Sequence, residues 1–69
     1  MTERVIKVMS KVFGCPVTVE STIETVAEWD SLRHMELIVA LEHEFDVMFA
    51  TDELAELVTV PRIVEACAG

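Results

Sequence analysis

The sequence predicts an all-α chain of four helical segments, with one long loop between the first and second. Three observations predict it. Apolar residues recur at helical spacing in four separate stretches. Capping and stop residues mark the ends of those stretches. Strand-like residue types gather only in residues 15–29, with no second such run to pair with.

The first helix runs from about Thr2 to Phe13. Val5, Val8, Met9, Val12 and Phe13 share one side, and Arg4, Lys7 and Lys11 the other. Gly14 stops the helix and Pro16 prevents its continuation. Residues 15–29, "CPVTVESTIETVAEW", read as a long ordered loop pinned by Val19, Ile23, Val26 and Trp29. A loop of that length in so small a chain points to a functional role. The second helix spans about Ser31 to Phe45, with Asp30 as N-cap. A short third helix follows, with Thr51 as cap, Asp52 and Glu53 in its first turn, and Leu54 and Leu57 facing in. The fourth begins after Thr59, with Pro61 in its first turn and an apolar stripe of Val60, Ile63, Val64 and Cys67.

The 69 residues make a single domain, 1–69. Chains near this size bury only roughly 60% of the surface the unfolded chain exposes. That favours a binding or carrier module over an enzyme. Apolar residues make up 52%, which excludes disorder. No apolar run approaches the roughly 20 residues of a membrane span. The charged residues near the N-terminus interrupt what would be the apolar core of a signal peptide. A soluble, cytoplasmic monomer is expected. The initial Met and the absence of a linker point to a free-standing protein.

The net charge of −8 is unevenly distributed. Residues 1–14 hold three bases and one acid, net +2; residues 15–69 hold twelve acids and two bases, net −10. Nucleic acid is a poor partner for such a surface. Proteins with basic surfaces are the natural ones. Cys15 and Cys67 form neither a metal spacing nor a disulfide framework, and read as a loop thiol and a small core residue.

The second helix carries more apolar surface than one core needs. On a wheel of about 100° per residue, Leu37, Ile38, Leu41 and Phe45 form a core face that includes His34. Leu32, Met35 and Val39 form a second patch, bordered by Ser31 and Glu42 on one side and Glu36 and His43 on the other. Ala40, Arg33 and Glu44 complete the solvent side. Either the second patch is a protein-binding surface or the 15–29 loop folds over it.

His34, on the core stripe, is expected to be neutral, hydrogen-bonded and partly buried, and to help order the nearby helix start or loop. It points away from His43, so the two do not share a metal, and no metal is expected. Asp30, Ser31 and His34 do not make a hydrolase site, because an Asp used as a cap cannot also orient the His.

"DSLRHMELIVALEHEFD", Asp30 to Asp46, resembles the phosphopantetheine attachment segment of acyl carrier proteins. The matching elements are Asp30-Ser31-Leu32, Glu36-Leu37, Ala40-Leu41-Glu42 and Glu44-Phe45. "ERVIKVMSKVFG", "TDELAEL" and "VTVPRIVEA" are similar to the family's first, third and fourth helices. The resemblance implies a small, right-turning four-helix bundle. It implies no catalytic residues, with Ser31 as the attachment point of 4′-phosphopantetheine, placed there from coenzyme A by a phosphopantetheinyl transferase. It implies that Asp30, Leu32, Met35, Glu36, Val39 and Glu42 meet the transferase and acyl-loading, condensing or tailoring enzymes with basic docking surfaces. Leu37, Ile38 and Leu41 would line an interior able to shelter an acyl chain.

Arg33 stands where fatty-acid carriers often have an acid, His43 replaces an acid, and "FDVMFA" lacks the usual Ile-Pro. Trp29 and His34 resemble the "WDSL.H" carriers of specialised pathways. A peptidyl or aminoacyl carrier, or an acidic helical docking module without cofactor, are the alternatives.

Overall fold

The computed structural model describes residues 1–68. Four helices follow in order: α1 (Thr2–Phe13), α2 (Ser31–Phe45), α3 (Thr51–Leu54) and α4 (Val60–Ala68). α1 packs against both α2 and α4, in a body 25 × 23 × 17 Å across. α1 contributes Val5, Met9 and Phe13, one turn apart, and all three are buried. Leu37, Ile38 and Leu41 meet them from α2, and Val60, Ile63 and Cys67 from α4. Burial of such side chains stabilises by roughly 1.5–3 kcal/mol each, and these three rows set how the helices pack.

The helix ends explain the spans. Gly14 adopts the left-handed conformation, φ 71°, and its N–H bonds the Ser10 carbonyl. Asp46 closes α2 in the same conformation, φ 54°, with its N–H on the Glu42 carbonyl; Asp tolerates this region better than most residues. α4 starts after Thr59, whose Oγ1 accepts from the Arg62 N–H at 3.3 Å.

Thr51 is not the cap of α3. It is the first helical residue, and Ala50 holds the cap position. The Glu53 carboxylate accepts from the Ala50 N–H at 3.1 Å, and the Glu53 N–H returns to the Ala50 carbonyl at 2.9 Å. The Glu53 carboxylate thus holds the N-cap's own N–H, the N3-to-N-cap half of a capping box, while the Ala50 carbonyl takes the Glu53 N–H that a cap hydroxyl would otherwise accept. Leu57 is buried just beyond α3, and Leu54 packs on the core from its last position.

The long loop satisfies its own backbone. Ser21 Oγ accepts from the Thr18 N–H at 3.0 Å, and Thr25 Oγ1 accepts from the Thr22 N–H at 2.8 Å. Residue types that look strand-like serve local hydroxyl-closed turns here. One point does pair: Thr22 bridges Thr59, and the Ile23 N–H bonds the Val58 carbonyl at 3.0 Å. The loop is pinned by Val17, Val26 and Trp29, with Ile23 half-buried against the core. Val19 is not among the pins. The Thr18–Ser21 turn carries it outward, and it is 53% exposed.

Candidate functional site: the start and outer face of α2

Asp30 precedes α2 in extended conformation, and its Oδ1 accepts from the Arg33 N–H at 2.8 Å. That is the N-cap bond the sequence predicts, and the His34 N–H bonds the Asp30 carbonyl at 2.8 Å. Because Asp30 supplies the cap, Ser31 does not need to. Ser31 is exposed at the first helical position, and among the described residues no hydrogen bond engages its Oγ. The N–H groups at this end of a 15-residue helix point outward with the positive end of its dipole. An exposed hydroxyl beside such a helix end fits attachment of a phosphodiester.

The second apolar patch is open. Leu32 is 71% exposed, Val39 62% and Met35 50%, and the loop of residues 15–29 packs elsewhere. Its covering by that loop is thereby ruled out: Val17, Val26 and Trp29 turn into the core around Phe13 instead, with the Phe13 and Trp29 rings 5.2 Å apart. Glu36 is exposed beside the patch. Glu42, expected at its other edge, is half-buried, and its Oε2 accepts from the Phe49 N–H at 3.0 Å, which ties the α2–α3 connection down. Leu37 and Leu41 are fully buried and Ile38 nearly so. The structure therefore separates the outer patch from the interior three as the wheel does.

Two residues of the wheel's solvent side are engaged. Arg33 is half-buried, and its Nη1 donates to the Phe13 carbonyl at 3.1 Å, which joins the start of α2 to the end of α1. Glu44 is exposed but pairs with Arg4 at 3.1 Å, and the Arg4 guanidinium lies 4.7 Å from the Phe45 ring centroid. Spacing within one helix gives no sign of either contact, since each reaches across to α1.

His34 is half-buried and both ring nitrogens are occupied. The Trp29 Nε1–H donates to His34 Nδ1 at 2.9 Å. Nε2 lies 2.9 Å from the Leu54 carbonyl, so it carries the ring proton and donates. The imidazole is thus neutral, the state expected from its place on the core stripe.

Met48, 91% exposed between half-buried Val47 and Phe49, has no place in the helix-wheel reading. The in–out–in alternation of an extended segment is the signal that marks it. The two cysteines are free. Desolvation raises the pKa of both thiols, and the Glu28 carboxylate, accepting from Cys15 Sγ at 3.5 Å, adds to the rise there. Neither is primed as a nucleophile. No described helix is long and apolar enough to cross a membrane.

The family pattern described as "Phosphopantetheine attachment site" matches residues 3–67. The fold is similar to the solution NMR structure of the holo acyl carrier protein from Geobacter metallireducens. The TM-score is 0.85 and the identity 30%, over 97% of this chain and 80% of that one.

Proposed function

The chain belongs to the acyl carrier protein family, non-catalytic carriers built around a phosphopantetheine attachment site, and from that premise we propose that Ser31 is its attachment residue. The observation that carries this reading is the pairing of Asp30 and Ser31. Asp30 caps the helix, and the next hydroxyl is left exposed and unbonded. Bound there through a phosphodiester, 4′-phosphopantetheine supplies a terminal thiol on which an acyl group is held as a thioester. This chain's residues bind and present; the chemistry belongs to partner enzymes.

Leu32, Met35 and Val39 form the apolar centre of the docking surface, and Asp30 and Glu36 its acidic edge. Glu42 contributes from behind, holding the α2–α3 connection as well as adding charge. The partners are a phosphopantetheinyl transferase and the acyl-loading, condensing or tailoring enzymes of fatty-acid, polyketide or related biosynthesis. Leu37, Ile38 and Leu41 are the interior side chains an acyl chain would meet. The Trp29–His34 pair and Arg33 favour a specialised pathway over general fatty-acid synthesis. The cytoplasm, which keeps the two cysteines reduced, is the working compartment, and the carrier acts as a monomer.

Thiol counting tests the reading. The denatured chain titrates two thiols, Cys15 and Cys67. After incubation with coenzyme A and a broad-specificity phosphopantetheinyl transferase, and removal of free thiols, it should titrate one more. A count still at two with several transferases contradicts the proposal.

A further inference from the structure

We propose that the His34 imidazole couples α3 to the entry of α2, so that the placement of α3 is felt at Trp29 and through it at Ser31. The ring is the only described side chain that bonds both segments. On one side it accepts the Trp29 indole N–H at 2.9 Å, and Trp29 leads directly through Asp30 into Ser31. On the other it donates to the carbonyl of Leu54, the last residue of α3, at 2.9 Å. That carbonyl otherwise receives only the long Leu57 N–H bond at 3.4 Å.

α3 has four residues, too few to hold itself. Both ends of its segment are tied to α2 by side chains reaching main-chain groups: Glu42 to the Phe49 N–H and His34 to the Leu54 carbonyl. The exit tie shares its ring with the tie to Trp29. A neutral imidazole serves both only in one tautomer and one ring orientation. Release of the Leu54 carbonyl frees the ring to turn, which loosens its hold on the indole; release of the indole loosens the hold on α3. On the reading that Ser31 is the attachment residue, His34 is then a positioning residue for its loading.

The chain has a single tryptophan, so its one indole N–H resonance reports Trp29 alone. Glu53→Gly removes the carboxylate from the Ala50 N–H at an exposed position of α3, and should make the indole N–H exchange about fivefold faster, as for loss of one ordinary hydrogen bond. Conversely, Trp29→Phe should accelerate exchange at the Glu56 and Leu57 amides about fivefold more than at the Leu37 and Leu41 amides, which register only the lost core volume. Coupling free energies are reciprocal, so both directions are expected. His34→Leu keeps an apolar body in place of the ring and removes both the Nε2 donor to Leu54 and the Nδ1 acceptor for Trp29; in that background neither far-side change should appear. The coupling is overturned if both far sides stay unchanged, if all amides accelerate alike, or if the changes persist in His34→Leu. These measurements use the unmodified chain, so they stand whether or not Ser31 accepts phosphopantetheine.

Discussion

Ser31 gains its availability from its neighbour. A serine at the start of a helix ordinarily serves as the cap itself, with its oxygen on a backbone N–H. Here Asp30 makes that bond, to the Arg33 N–H. Asp30→Ala should lower stability by about 1 kcal/mol, a fall in melting temperature of roughly 4–8 °C for a domain of this size. Thermal unfolding followed by circular dichroism checks it; an unchanged melt would mean the cap contributes nothing. Gly14 makes a similar local prediction. A Cβ there meets no atom within 4 Å, so the cost of Gly14→Ala is backbone strain at φ 71° alone. It should destabilise by about 1 kcal/mol, measurable in urea. At this scale the sequence was readable where one residue acts on its own backbone, as for Asp30 and Gly14. Arg33 and Val19 were not. Arg33 reaches the end of α1, and Val19 is turned out by hydroxyl bonds between Thr18 and Ser21.

α2 does two jobs on two faces. Leu37, Ile38 and Leu41 vanish into the bundle, while Leu32, Met35 and Val39 remain in water. Substitutions on the two faces should part company. Leu41→Ala should cost about 2–5 kcal/mol, much of the stability of a small domain. Met35→Asp and Glu36→Lys should each stay within about 0.5 kcal/mol of the parent while impairing loading by the transferase, seen as a fall in kcat/KM. Unfolding of Met35→Asp would place that residue in the core instead. The two faces were legible because helical periodicity sorts residues by angle whatever packs against them. Which patch would be covered was not, because that depends on where the 15–29 loop goes. The loop is drawn to α1 by Trp29, whose ring packs at a tilt against Phe13, and to α2 by the Trp29–His34 bond, contacts that no wheel of a single helix shows.

Across the whole molecule, charge is divided between an acidic body and a basic stripe on α1. Arg4 of that stripe is already paired with Glu44, and Arg62 with Glu56. Both pairs are exposed, where such bridges contribute little. In the proposed docking reading, the residual acidity of residues 15–69 instead acts at a distance and steers basic partners toward α2. Affinity for the transferase should therefore fall as salt rises from low ionic strength to about 0.15 M, where the Debye length shrinks to about 8 Å. Binding measured by titration calorimetry that ignores salt would argue against charge-steered docking. The order of helices follows from local patterns, as does the place proposed for the site. The tertiary ties around α3, through His34 and Glu42, emerge only once α2 and α3 are brought together.

The chain has three serines, Ser10, Ser21 and Ser31, of which Ser31 is the proposed attachment residue. Ser10 is half-buried in α1, and Ser21 holds the Thr18 N–H. Intact mass after incubation with coenzyme A and a broad-specificity transferase, on the parent chain and on each Ser→Ala variant, separates them. The parent, Ser10→Ala and Ser21→Ala should each gain the mass of one phosphopantetheine, and Ser31→Ala should gain none. A Ser31→Ala chain that still gains it, or a parent that never does with several transferases, would contradict the account.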